Sequence, residues 1–109
     1  MCGIAGFLGR GDEPALRKMI RSIHHRGPDQ ENIFIENNVF LAHARLNILD
    51  IAGGIQPMWN ADESIGVIFN GEIFNYQDLK TELIQAGHQF RTTHSDTEVL
   101  IHGDRKSVV

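Results

Sequence analysis

One cysteine, three prolines, one tryptophan and one tyrosine are all that 109 residues contain of these types. A lone thiol excludes an internal disulfide, so packing must hold the fold, and the expected compartment is the reducing cytoplasm. The opening MCGIAGFLG has neither the basic start nor the apolar length of a secretory signal. Cysteine rather than glycine follows Met1, which excludes N-myristoylation, and a lipoprotein cysteine would need a signal ahead of it. No apolar run approaches the roughly 20 residues that cross a bilayer. Positive charge is scarce as well: 10 Lys and Arg stand against 14 Asp and Glu, for a net charge of -4 and a pI near 5.8. That balance supplies no basic stripe, so neither nucleic acid nor a membrane is an expected partner. A Gly-rich phosphate loop is missing, and with it any place for ATP in this chain. Six histidines are present, but none has a partner at metal-ligand spacing with cysteine support, so no metal is expected.

What remains is 41% hydrophobic and 22% charged, a composition for one small domain. Ile4, Ala5, Phe7 and Leu8, ended by Gly9 and Gly11, read as a buried opening strand. Asp12 can cap a helix whose Leu16, Met19, Ile20 and Ile23 fall at i, i+3, i+4 and i+7, up to the stop at Gly27-Pro28. Ile33 to Ile35 and Val39 to Ala42 flank Glu36-Asn37-Asn38, the pattern of two antiparallel strands around a tight turn. Leu46, Ile48, Leu49 and Ile51 read as an extension of that sheet. Asp50 to Asp62, with Gly53-Gly54 and Pro57, reads as a surface loop with Met58 and Trp59 tucked back. Ile65 to Phe69 returns to strand.

Asn75 can cap a second helix carrying Tyr76, Leu79, Leu83 and Ile84 toward the core, stopped by Gly87. Ser95-Asp96-Thr97-Glu98 has capping-box spacing and opens a third helix, which the pattern ends after two turns at Gly103. The tail GDRKSVV has no periodicity. This order of elements predicts an α+β fold with helices layered on antiparallel sheet.

Cys2 is the residue with the most chemical potential. If Met1 is removed, its sulfur and a free α-amino group sit on one carbon, so nucleophile and base share one residue. An α-amino group titrates at about 7.7 to 8.0 and a thiol at about 8.5, so the amine can take the thiol proton, directly or through a water. This is the N-terminal form of nucleophile activation. The alternative is a small apolar residue buried at a strand start. Asn70-Gly71, in NGEIFNY, could supply a side-chain amide and a backbone N–H to an oxyanion; the same dipeptide is also the favoured hairpin turn. Arg45, in LAHARLNILD, is costly to bury unless it faces solvent or meets an anion, and its fork suits a carboxylate. Asp96 is either a first-turn charge or the acceptor of a ligand ammonium group. Together Arg45 and Asp96 could grip the two ends of an α-amino acid while Cys2 meets its side chain. His24-His25-Arg26 reads as a positive helix end.

Six segments, MCGIAGF, HRGPDQ at His25 to Gln30, LAHARLNILD, QPM at Gln56 to Met58, NGEIFNY, and SDTEV at Ser95 to Val99, occur in an order that resembles the class II glutamine amidotransferase domain. Within that family the HRGPD and ARLNILD forms are most similar to the N-terminal half of glutamine-hydrolysing asparagine synthetase. The likeness runs from Met1 to His102. It implies that Cys2 attacks the side-chain amide of glutamine, forms a γ-glutamyl thioester and releases ammonia, after which water frees glutamate. It further implies that Arg45 holds the glutamine α-carboxylate beside the backbone of Leu46, Asn47, Ile48 and Leu49. Asn70 and Gly71 correspond to the oxyanion hole, and Glu72 and Asp96 to the amino-group site. His25 to Asp29 is expected to be structural support near the pocket.

The fold implied is the αββα sandwich of N-terminal-nucleophile hydrolases, present as its N-terminal portion. In the family this domain is longer and is followed by an ATP-dependent synthetase domain that takes ATP, magnesium and aspartate, and full-length relatives are expected to be homodimers. Residues 1–102 are read as a partial amidotransferase domain. Residues 103–109, which match nothing expected there, are read as a truncation, and the chain as inactive by itself. Two alternatives stay open: an inactive glutamine-binding or interaction module, and an amidotransferase with another acceptor such as a sugar or cell-surface polymer.

Overall fold

The computed structural model describes residues 2–46, 54–92 and 95–107, with side chains through Asp104. The chain opens with strand β1, Gly3–Leu8, then helix α1, Glu13–Ser22, and a single 3-10 turn at His24–Arg26. Strands β2, Gln30–Glu36, and β3, Val39–Arg45, follow; then come the two-residue strands β4, Met58–Trp59, and β5, Gly66–Val67. Helices α2, Tyr76–Gln85, and α3, Glu98–Ser107, complete the α+β arrangement.

Local chemistry sets the first half. The Asp12 side chain accepts the Ala15 N–H at 2.9 Å, and Pro14 sits in the first turn of α1, where its missing donor costs nothing. The helix ends at Ser22 rather than running to Gly27, because the next residues tighten into the 3-10 turn before Pro28. Asn37 and Asn38 both adopt left-handed φ, 47° and 66°, which is what a two-residue hairpin turn between twisted strands requires. The resulting sheet has the order β1-β3-β2, antiparallel throughout.

Strand alternation divides this sheet into two faces. Phe40, Ala42 and Ala44 of β3 face α1, whose Leu16 and Ile20 are wholly buried against them. The two alanines let the helix come close to the sheet, and Phe7 stacks on Phe40 at 4.2 Å between ring centres. Burial of Leu16 and Ile20 contributes about 1.5–3 kcal/mol each. Met19, in the expected stripe, is exposed at its edge.

Leu41, His43 and Arg45 occupy the other face, over which the β4–β5 pair reaches through an edge contact of Trp59 with Phe34 at 4.8 Å. Met58 and Trp59 therefore form a strand rather than a tucked loop. Only Gly66–Val67 of the expected Ile65 to Phe69 strand pairs, since Ile65 N–H goes to the Asn60 side chain and Phe69 N–H to that of Gln56.

Helix α3 packs on β4 and β5, and α2 packs on α3. Asn75 precedes α2 without a side-chain cap bond, and Ile84 is half exposed instead of turned to the core; Leu83 carries that role. Gly87, at φ 100°, ends α2 with Gly87 N–H to Ile84 O and His88 N–H to Leu83 O. Glu98 does not serve a capping box: its carboxylate turns to Arg91 and Thr92. Nor does Gly103 stop α3, which keeps a helical φ there and continues to Ser107. Of the segment expected to extend the sheet, Leu46 lies just past β3, and Ile48, Leu49 and Ile51 fall outside the described residues. No helix of the described residues is long and apolar enough to cross a membrane.

Candidate active site

The site lies at the end of the three-stranded sheet on the face away from α1. Gly3 pairs with Ala44 and Gln30 with Arg45, so Cys2, one residue ahead of β1, enters beside the last residue of β3. Its sulfur accepts the main-chain N–H of Leu46, with 3.5 Å between nitrogen and sulfur. Arg26 Nε donates to the Cys2 carbonyl at 3.1 Å, and Asp29 N–H donates to the Arg45 carbonyl at 3.1 Å. Gly27 lies between them, so close under the Ala44 carbonyl that a Cβ would collide with main chain. The HRGPD segment thus holds the backbone of both Cys2 and Arg45.

Arg45 is only 7% exposed. Its guanidinium reaches Gln30 Oε1 at 3.4 Å and rests against Gly54. Across the opening runs the segment after β5, carrying Asn70, Gly71 and Glu72. Asn70 and Gly71 do not form a hairpin turn: neither has a left-handed φ, and the chain proceeds to α2. Asp96, just ahead of α3, accepts the Ile73 N–H on Oδ2 at 2.8 Å and ties this segment to the helix start.

These parts enclose a cavity of about 400 Å³ whose wall includes Cys2, Arg45, Leu46, Asn70, Gly71, Glu72 and Asp96. Every candidate site residue that is described lines this one space. Asn47, Ile48 and Leu49 lie outside the described residues. The wall combines a thiol, a buried cation, two carboxylates and an amide-bearing loop, a set able to hold a zwitterion and offer a nucleophile. Among the described residues, no three His, Cys, Asp or Glu side chains are grouped to hold a metal ion.

His43, Gly54, Gln56, Phe69, Ser95 and Thr97, to which the sequence alone assigns no role in a site, line the same cavity. His43 had a signal: two residues before Arg45 on one strand, it must share Arg45's face. Burial pushes its pKa down, the Arg45 charge adds to that, and the Phe69 backbone works the other way; the ring is neutral near pH 7.

Residues 1–106 match the family described as a glutamine amidotransferase domain. The chain is 45% identical over 109 residues to asparagine synthetase (glutamine-hydrolyzing) 2 of Bacillus subtilis (strain 168), covering 94% of this chain and 14% of that protein. Its identity to asparagine synthetase (glutamine-hydrolyzing) 3 of the same organism is 40% over 109 residues, 94% of this chain and 18% of the relative. With asparagine synthetase (glutamine-hydrolyzing) 1 of Arabidopsis thaliana it is 40% over 107 residues, again 94% and 18%. The chain therefore spans 14 to 18% of the length of these relatives.

Proposed function

Because the chain belongs to the glutamine amidotransferase domain family, and within it is closely related to the N-terminal domains of glutamine-hydrolysing asparagine synthetases, we propose that its Cys2 site is built for glutamine hydrolysis, with little or no turnover by this chain alone. The observation that carries this reading is the single cavity that Cys2 shares with Arg45, Asn70, Gly71, Glu72 and Asp96.

Removal of Met1 leaves the α-amine on Cys2, and this amine takes the thiol proton. The thiolate adds to the side-chain carbonyl carbon of glutamine, while Arg45 and the backbone from Leu46 to Leu49 hold the α-carboxylate and Glu72 with Asp96 hold the α-ammonium group. Negative charge passes to the carbonyl oxygen, where the Asn70 amide and the Gly71 N–H receive it. The α-ammonium group of Cys2 returns its proton to the departing nitrogen, the C–N bond breaks, and ammonia leaves a γ-glutamyl thioester. Water, deprotonated by the same amine, then opens the thioester, releasing glutamate and restoring the thiol.

The layering of α1, the three-stranded sheet, the β4–β5 pair and the helices α2 and α3 is compatible with an αββα sandwich of the N-terminal-nucleophile type. By analogy with the relatives' names, the ammonia would serve the synthesis of asparagine; an ATP- and magnesium-dependent domain acting on aspartate, and a homodimeric full protein, rest on the family resemblance alone.

Intact mass spectrometry tests the reading in one sample. The expected result is loss of Met1 and a single adduct at Cys2 from a glutamine-like diazoketone, suppressed by glutamine and absent in Cys2→Ser. Retention of Met1 on nearly all molecules, or labelling indifferent to glutamine, would leave a binding module without this chemistry.

A further inference from the structure

Among the described residues, two side chains on the site face of the sheet carry buried nitrogens with no hydrogen-bond partner: His43 at both ring nitrogens and the half-buried Asn32 at its amide nitrogen. They are cross-strand neighbours, Asn32 on β2 opposite His43 on β3, so both project from the same side. Buried polar atoms are nearly always paired, and a leucine at position 43 would fill a strand without that cost. His43 is 1% exposed, yet it lines the cavity together with Gln56 and Phe69.

Residue 69 stands between two buried side chains. Gln56 accepts the Phe69 main-chain N–H on its Oε1. Phe69 and His43 share the cavity wall, and the Phe69 backbone opposes the effect of burial on the ring's ionisation, as a carbonyl facing it just outside hydrogen-bond geometry would. The next two residues are Asn70 and Gly71.

We infer that His43 is a positioning residue: a small turn of its ring brings one N–H to the Phe69 main-chain carbonyl, and with Gln56 it then clamps the peptide that presents Asn70 and Gly71 to the cavity. The inference rests on the oxyanion role proposed for that pair. The second ring nitrogen is then an acceptor, matched in kind to the orphan amide donor of Asn32, which it meets directly or through one water. A single donor and a single acceptor at fixed places describe a neutral imidazole. Lysine offers three donors and no acceptor, and leucine offers neither. Burial beside Arg45 keeps the ring in that form.

Two measurements on the full chain decide the matter. In imidazole 15N spectra between pH 5 and 8, His43, assigned by its absence in His43→Gln, is expected as one fixed neutral tautomer with a slowly exchanging ring N–H. Rapidly averaged tautomers, or protonation at the pH usual for histidine, would overturn the assignment, and this readout stands whether or not the chain processes glutamine. The second follows alkylation of Cys2 by a glutamine-like diazoketone. His43→Leu is expected to slow the saturated rate by roughly 10- to 100-fold with little change in apparent affinity or in iodoacetamide reactivity. Either His43→Asn or His43→Gln, each able to place an amide N–H near one of the ring positions, should recover part of that rate. Equal rates in wild type and His43→Leu would sink the positioning role, whereas a wild type that ignores the analogue would instead sink the proposed glutamine chemistry.

Discussion

Gly54 lies directly against the guanidinium of Arg45, so the first carbon of any side chain at position 54 would stand where the fork now rests. The group in the way is the far end of a flexible side chain, not a peptide. Gly54→Ala should therefore move Arg45 rather than unfold the protein. Saturation of Cys2 labelling by a glutamine-like diazoketone is expected to need about 10-fold more reagent, consistent with loss of one good charged hydrogen bond, while the thermal midpoint stays within a few degrees. An unchanged saturation curve would mean that Arg45 does not hold the ligand carboxylate.

Asp96 separates charge from scaffolding. One oxygen accepts the Ile73 N–H at 2.8 Å, and an asparagine can keep that bond while losing the negative charge. Asp96→Asn is expected to weaken analogue binding about 10-fold or more at constant stability, whereas Asp96→Ala should also loosen the Asn70 to Ile73 segment. Competition by glutamine in the labelling assay reads the first effect, and backbone amide exchange at Ile73 reads the second.

Much of the fold was legible where its signals are local. The Asp12 cap, the Asn37-Asn38 turn and the Gly87 stop each depend on one or two residues with a narrow set of conformations, and each formed as expected. Strand β4 was not legible: two residues between Pro57 and a polar turn carry no period, and their pairing is decided by β5 across that turn and by Phe34. Arg45 could be singled out because a cation in an apolar strand needs a reason. Gly54 and Gln56 could not, since their roles are defined by partners 9 and 13 residues away that only folding brings together.

Two glycines should respond to alanine with opposite signs. At Gly27 a Cβ would collide with the carbonyl of Ala44 and the nitrogen of Arg45, main-chain atoms fixed in the sheet. Gly27→Ala is expected to destabilise by about 2 kcal/mol or more and to disturb the site through Arg45. At Gly103, inside α3, nothing lies within 4 Å of the same position. There alanine should stabilise by about 0.5–1 kcal/mol. Urea denaturation of the two variants beside wild type checks both, and a Gly27→Ala protein as stable as the parent would contradict the close packing of HRGPD on β3.

Glu98 gives the fold a specific acid sensitivity. Its buried carboxylate accepts Thr92 N–H at 2.8 Å and Thr92 Oγ1 at 2.7 Å on one oxygen, and Arg91 N–H at 2.8 Å and His102 Nε2 at 3.1 Å on the other. Burial by itself would raise the pKa, but the hydrogen bonds from Thr92, Arg91 and His102 outweigh it and hold the group below the usual glutamate value. A carboxylate with a depressed pKa in the folded state stabilises the fold above the unfolded pKa of about 4.3 and loses that contribution as pH falls through the lower folded value. Glu98→Gln keeps the shape but turns a donor toward donors, and should cost about 1–3 kcal/mol at pH 7. The gap between wild type and Glu98→Gln should then narrow as pH falls below the unfolded value toward the lower folded one. Urea midpoints for both proteins at pH 7, 5, 4 and 3 measure this directly; a gap that stays constant down to pH 3 would show that the Glu98 charge does not hold residues 91 and 92 to α3.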